Sequence, residues 1–193
     1  MPLDAMSDHD DEDLLARYAR GDAEAARALT LRLTPRVLAH AVRLLGDRAE
    51  AEDVTQEALL RLWRMAPDWR RGEARVSTWL YRVTANLCTD RLRRRRGSAL
   101  DDLPEIADGA EPVEARMQRG ARAEALQAAL MQLPERQRQA VVLRHIEGLG
   151  NPEIARIMDI GPRAVESLTA RGKRALEVIL LDRRAELGLS DDG

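Results

Sequence analysis

The sequence predicts an all-α fold of two small helical domains joined by an acidic flexible linker. The first observation behind this is composition. Ala, Leu, Arg and Glu, all strong helix formers, are abundant, while Phe is absent, three Trp and two Tyr are the only aromatics, and β-branched runs are few. The second is periodicity, because apolar residues recur at i, i+3, i+4 and i+7 through both halves of the chain. The third is the stretch GSALDDLPEIADGAEPVEA, which carries Gly, Pro, Ser and acids with no sustained period, as a connector does. At 193 residues and 45% hydrophobic content, either one ordinary domain or two small ones can hold a packed core. The expected divisions are a disordered acidic N-terminus at 1–11, a helical domain at 12–96, the linker at 97–120, a second helical domain at 121–187 and a disordered tail at 188–193.

In the first domain a helix should end before Gly21 and a longer one at Leu45. Gly46 breaks that helix, and Asp47 suits the N-cap of the next, which runs to the break at Ala66 and Pro67. This third helix holds DVTQEALLRLW, Asp53 to Trp63. Val54, Ala58, Arg61 and Leu62 make one stripe, yet Leu59, Leu60 and Trp63 project from the other side, beside Glu52, Asp53 and Gln56. A second apolar face is surplus to a monomer, and an apolar centre with a polar rim is how a partner site is built. The rival reading is that the helix near Tyr18 covers Trp63. A fourth helix runs from Val76 into the arginines with Val76, Leu80, Val83 and Leu87 as its core line. Arg82, Asn86, Thr89 and Arg93, at i, i+4, i+7 and i+11, form one polar line along it.

In the second domain Leu126, Ala129, Leu130 and Leu133 share a face of a helix that Pro134 ends, and Ala140 and Leu143 carry the next helix to Gly148. NPEIARIMD begins with Asn151 as the expected N-cap and a proline in the first turn, and sets Ile154, Ile157 and Met158 on one stripe. After Ile160, Gly161 and Pro162, a last helix buries Val165, Leu168, Gly172, Ala175 and Ile179. Two short helices joined by a tight Gly-containing turn make a helix-turn-helix.

The formal net charge of -2 conceals a sorted distribution. Residues 1–13 hold six acids and no base; Arg61 to Arg96 hold eleven arginines against Asp68, Glu73 and Asp90; and the linker is acidic again through Asp101, Asp102, Glu105, Asp108, Glu111 and Glu114. A basic block of that density is a footprint for phosphates, set against the plainer reading of solvated arginines on a surface helix. The polar line with Trp69, Trp79 and Tyr81 nearby suits single-stranded DNA, the alternative being that these rings are core. On the last helix Arg163, Glu166, Ser167, Ala170, Arg171, Lys173 and Arg174 lie away from the core stripe, as a major-groove reader requires and as a plain packing hairpin also allows. No catalytic constellation is visible, and Cys88, His9, His40 and His145 make no metal spacing, so a binding protein without metal or cofactor is expected. The acidic N-terminus and the lack of any long apolar run point to a cytoplasmic protein without a membrane anchor.

Three motifs in order carry a resemblance to a family. AEDVTQEALLRLW resembles region 2.2 of bacterial RNA polymerase sigma factors of the extracytoplasmic-function (ECF) class within the sigma-70 family. WRRGEARVSTWLYRVTAN resembles the segment that meets the -10 element, and LPERQRQAVVLRHIEGLGNPEIARIM is similar to region 4. The resemblance runs from about Asp13 to about Leu187. It implies a sigma region 2 bundle at 12–96 and a sigma region 4 helix-turn-helix at 121–187.

The resemblance further implies that Glu52, Asp53, Gln56 and Glu57, with Leu60 and Trp63, grip a coiled coil of the polymerase β′ subunit. It implies that Arg70, Arg71, Gly72, Glu73, Ala74, Arg75 and Val76 capture an unstacked -10 base, with Asn86 beside it; the polar line and its neighbouring ring add Arg82, Arg93 and Trp79 to the expected -10 site. The helix from Pro162 to about Leu176 would read the -35 duplex, and the preceding hairpin would meet the β-flap. The implied partners are core polymerase, promoter DNA and an anti-sigma factor serving a stress response, with the free protein a monomer. Glu166 and Leu168 depart from the basic residues common in the family there, which suggests a distinct promoter; Glu166 can accept from a cytosine amine. The competing expectations are a free-standing dimeric helix-turn-helix regulator and a helical interaction module.

Overall fold

The computed structural model describes residues 4–98 and 113–182, and all regular structure among them is helical. Most of the acidic linker and the tail at 188–193 lie outside the described residues. Helix α1 (Asp4–Ala19) packs on α2 (Ala23–Leu45), which packs on α3 (Arg48–Met65). A 3-10 turn at Ala66–Asp68 follows, then a non-helical loop, then α4 (Val76–Ser98). The second half holds α5 (Val113–Gln132), α6 (Glu135–Val141) running into a π-helical turn at Val142–Ile146, α7 (Asn151–Met158) and α8 (Pro162–Asp182).

Local chemistry accounts for most boundaries. Asp22 caps α2 by accepting from the Ala25 N–H at 3.1 Å, and that bond, with Arg17 alongside, holds its carboxyl below the usual range. Gly46 ends α2 in the left-handed conformation, φ 70°, its N–H returning to the Val42 carbonyl at 2.8 Å. Asp47 then caps α3 through the Glu50 N–H at 3.0 Å, as the sequence predicts. Pro35 sits on the exposed side of α2 and does not stop it, because Leu33, Val37 and Ala41 are buried on the other side.

Three expectations change. Helix α1 begins at Asp4, within the stretch read as disordered, and Asp11 is fully buried where Arg32 of α2 donates to it at 2.8 Å. Burial of an acid is tolerated because it is paired, and the pair ties the acidic end to the bundle. Helix α5 begins at Val113, inside the stretch read as linker. The N-cap of α7 is Gly150 rather than Asn151. The Glu153 carboxylate accepts from the Gly150 N–H at 3.2 Å, so the first turn is closed from within and the Asn151 side chain is released to donate to Glu166 at 3.4 Å.

The two halves share a core. Ala41, Leu44, Val54, Ala85 and Cys88 of the first half pack in one cluster with Leu130, Leu133, Val141 and Val142 of the second. A second cluster, with Leu15, Leu29, Leu33, Ala58, Leu62 and Leu80, belongs to the first half alone. A third lies around α7 and α8, yet takes in Tyr81 from α4.

Candidate polymerase and nucleic-acid interface

Helix α3 presents three of the expected polymerase contacts fully. Glu52, Asp53 and Gln56 are exposed, and Leu60 is 42% exposed. Glu57 is half-buried, and its carboxyl is held low first by a hydrogen bond from Arg61, at 2.8 Å. The second apolar face is narrower than the sequence suggests. Leu59 is only 8% exposed and joins the cluster around Leu15 of α1 and Leu29 of α2. Trp63 is half-buried against Tyr18, ring centroids 4.7 Å apart, so α1 does cover that end. What remains is Leu60 with the edge of Trp63, rimmed by Glu52, Asp53 and Gln56.

The loop from Arg70 to Arg75 carries its polar residues outward. Arg70, Arg71, Gly72, Glu73 and Arg75 are exposed and Ala74 is half-buried, with Gly72 at φ 80° supplying a turn that few other residues adopt. Arg70 reaches Glu73 at 3.5 Å, Arg71 pairs with Asp13 of α1, and Arg75 reaches Glu153 of α7 at 3.4 Å. Val76 is a correction: it is fully buried in the first-half core, so its side chain anchors the loop and is closed to a base. Trp79 is half-buried with its ring edge-on to Trp69 at 6.2 Å, within the same core, which makes it a wall of that region rather than a free stacking platform.

Along α4 the polar line is real: Arg82, Asn86, Thr89 and Arg93 are all exposed, opposite buried Val76 and Leu80. The arginine block beyond it is partly spoken for. Arg91 pairs with Asp53 at 3.4 Å, Arg95 with Asp47 and Glu50 at 2.9 Å each, and Arg96 with Glu135 at 2.9 Å. Arg95 thus ties α4 to the start of α3, so the density of arginine in the sequence overstates the charge offered to phosphates.

Helix α8 exposes Arg163, Glu166, Ser167, Ala170, Arg171, Lys173 and Arg174 while Val165 and Gly172 are buried. Arg171 and Arg174 donate to the carbonyls one turn back, at 3.2 Å each, which lays their guanidiniums along the helix with donors to spare. Among the described residues no group of His, Cys, Asp and Glu gathers as a metal site, and no helix is long and apolar enough to cross a membrane.

One cluster escaped sequence reasoning. Glu147, just after the π-helical turn, accepts from the Tyr81 hydroxyl at 2.8 Å and from Arg43 at 3.3 Å, with His40 Nδ1 3.5 Å away. His40 is fully buried, and its ring meets Tyr81 edge-on at 4.8 Å. Burial pushes the Glu147 carboxyl up, but His40, Tyr81 and Arg43 together outweigh that and hold it below its ordinary value. The available signal was a titratable side chain, His40, on the apolar stripe of Leu33, Val37, Ala41 and Leu44.

Comparison with known proteins places the two halves separately. Residues 29–98 match the family Sigma-70 region 2, and residues 123–176 match Sigma-70, region 4. The chain is similar to the ECF RNA polymerase sigma factor SigM of Mycobacterium tuberculosis, 36% identical over 174 residues covering 88% of this chain and 84% of the relative. It is also similar to the RNA polymerase sigma-H factor of Pseudomonas aeruginosa, at 32% identity over 91% of this chain and 96% of that one. Among solved structures, CnrH in complex with the cytosolic domain of CnrY matches with a TM-score of 0.65 and 26% identity over 89% of this chain and 97% of that one. The sigma factor RpoE of Bartonella quintana, solved in complex with the anti-sigma factor NepR, shares the fold with a TM-score of 0.66 at 21% identity, covering 80% of this chain and 95% of that one.

Proposed function

The chain belongs to the sigma-70 family as an ECF RNA polymerase sigma factor, a non-enzymatic transcription initiation factor, and on that premise we propose how its surfaces divide the work. The face of α3 around Asp53, Gln56 and Leu60 grips a coiled coil of the polymerase β′ subunit. The loop Arg70–Arg75 with the α4 line of Arg82, Asn86 and Arg93 holds a melted -10 strand. The outer face of α8 reads the -35 duplex, and the hairpin before it meets the β-flap. The observation that carries this reading is the pairing of two exposed polar helix faces, on α4 and α8, with sigma region 2 and region 4 matches in that order.

The chemistry of each face suits its task. Guanidiniums clamp phosphates, the Asn86 amide can donate to and accept from a base edge, and Arg163, Arg171 and Arg174 supply the cationic donors a major-groove helix needs. Extruding a base from a stack costs a few kcal/mol, which contacts to the freed strand must offset. An anti-sigma factor is the expected negative regulator, serving a stress response, and the protein acts in the cytoplasm as a monomer until it joins core polymerase. The reading is supported by the class of the relatives and by the solution of CnrH with a bound protein partner.

Run-off transcription with purified core polymerase on genomic fragments tests it. A discrete transcript that depends on this chain is expected, and its absence from every fragment overturns the reading. Within that assay, Asn86→Ala is expected to lower open-complex formation about tenfold, the loss of one good base contact being worth about 1–3 kcal/mol. Closed-complex binding should change little. Equal losses in both steps would remove Asn86 from the melted strand.

A further inference from the structure

We propose that the cavity between α1, α2 and the Arg70–Arg75 loop is a binding site for a phosphoanhydride, the diphosphate or triphosphate moiety of a free nucleotide, held by Arg17, Arg20, Arg32 and Arg71. None of the surfaces assigned above covers this cavity. Of its four arginines only Arg71 belongs to the loop given to the -10 strand.

The cavity measures about 380 Å³, and its lining is four guanidiniums, the carboxylates of Asp10 and Asp13, and one apolar side chain, Leu14. Arg17 and Arg20 come from the end of α1 and the turn after it, Arg32 from α2 and Arg71 from the loop, so the fold rather than any one stretch of sequence assembles the cluster. Two of the guanidiniums are fixed from outside the cavity. Asp22, the N-cap of α2, accepts from Arg17 Nε at 2.9 Å, and the fully buried Asp11 accepts from Arg32 at 2.8 Å. A guanidinium carries five donors in a rigid fork, so each keeps donors for a ligand after these bonds are made. Side chains already held in place lose less freedom when the ligand arrives.

Carboxylates now stand where the phosphates would. Asp13 pairs with Arg71, and Asp10 lies 3.9 Å from Arg32. Their side chains are 64% and 68% exposed, so both can turn to water at little cost. A phosphate group brings more charge and more acceptor oxygens to the same forks and displaces them.

Convergence decides the class of ligand. A nucleic-acid strand offers its phosphates in succession, and guanidiniums that follow it lie along a track, as Arg82 and Arg93 do on α4. Four guanidiniums drawn from three elements around one cavity match adjacent phosphates instead. The volume falls at the low end of small-molecule sites, which run from about 300 to about 1,000 Å³. Leu14 alone makes no slot for a base, so the linked phosphates supply the affinity.

Isothermal titration calorimetry of the full chain at low salt tests the site, with inorganic pyrophosphate, inorganic phosphate, ADP and a thymidine oligonucleotide as probes. Pyrophosphate is expected to bind one site at least about tenfold more tightly than phosphate, with ADP within about threefold of pyrophosphate. Arg20→Ala, at an exposed position beyond α1, should weaken pyrophosphate binding at least about tenfold, the loss of a hydrogen bond to a charged group. Its helix content by circular dichroism should equal that of the parent. Asp13→Asn, which removes the charge that competes for Arg71, should tighten binding about threefold. Arg163→Ala on α8 should leave it unchanged.

No heat from pyrophosphate, or an equal loss in Arg20→Ala and Arg163→Ala, overturns the site; the second result would mean diffuse attraction to a basic surface. Oligonucleotide binding that depends on Arg20 while pyrophosphate fails to bind gives the pocket to a strand and overturns the proposal as well. The titration uses neither polymerase nor promoter, so its outcome is separate from that of the transcription assay.

Discussion

Asp53→Arg is expected to lower affinity for core polymerase at least about 100-fold, and transcription with it, while leaving the fold intact. Asp53 has a side chain 67% exposed on α3, between Glu52 and the uncovered Leu60, and it pairs with Arg91 at 3.4 Å. An exposed pair of that kind contributes about 0–1 kcal/mol to stability. Losing it, even with a second cation placed beside Arg91, shifts the melting temperature by a few degrees at most. At an interface the same reversal sets like charges face to face, which costs several kcal/mol. The interface effect therefore dominates. Arg91→Ala separates the two roles: if Asp53 serves only the fold, both substitutions cost the same small stability and neither touches polymerase. Binding of fluorescently labelled chain to purified core gives the result, and an unchanged dissociation constant for Asp53→Arg removes the β′ assignment.

That prediction is narrower than the one the sequence supports, and the reason is geometric. Leu59 follows Ala58 by only 100° around the helix, so a core stripe slightly wider than usual already takes it in. The second wall that buries it comes from α1 through Leu15, and α1 reaches back to Asp4. An acidic N-terminus gave no hint of this, because the acid that matters, Asp11, is recruited by Arg32 from a distant part of the chain. The caps were legible: Asp47 and Gly46 act through neighbours a few residues away, where type and position alone fix the hydrogen bond.

The candidate site shows the same division. Spacing found the exposed line of Arg82, Asn86, Thr89 and Arg93, because solvent exposure on a helix follows from its own core stripe. Taking the capture segment as a block swept in Val76, whose side chain turns inward at the first residue of α4. The contact between halves was invisible for a deeper reason. Leu130, Leu133 and Val141 read as core residues of their own domain, and an apolar side chain does not name the surface it will meet. Only the polar residues there carry information about partners, and Glu147 becomes informative once Tyr81, Arg43 and His40 surround it.

Gly172→Val is expected to destabilise the chain by about 3 kcal/mol, even though the position is the middle of a helix where glycine is usually a weakness. On propensity alone, replacing a helical glycine by alanine gains about 1 kcal/mol. Here a Cβ would sit 2.6 Å from Val141 Cγ2 and 3.1 Å from the Gln137 carbonyl oxygen, both on α6. Val141 is 2% exposed and β-branched, so it has little room to yield, and the carbonyl belongs to the backbone. Overpacking of this kind costs about 1–3 kcal/mol, and the two further methyl groups of valine put the cost at the upper end of that range. Packing therefore reverses the sign that propensity predicts. Function should fall with stability, because α8 can relieve the clash only by sliding off α6, carrying Arg163, Arg171 and Arg174 away from the position the helix-turn-helix gives them. Urea denaturation should show a lower midpoint, and -35-dependent transcription should fall below that of the parent chain even at a temperature where the variant is still folded. A midpoint equal to or above that of the parent would mean that α6 and α8 do not approach as closely as the structure has them.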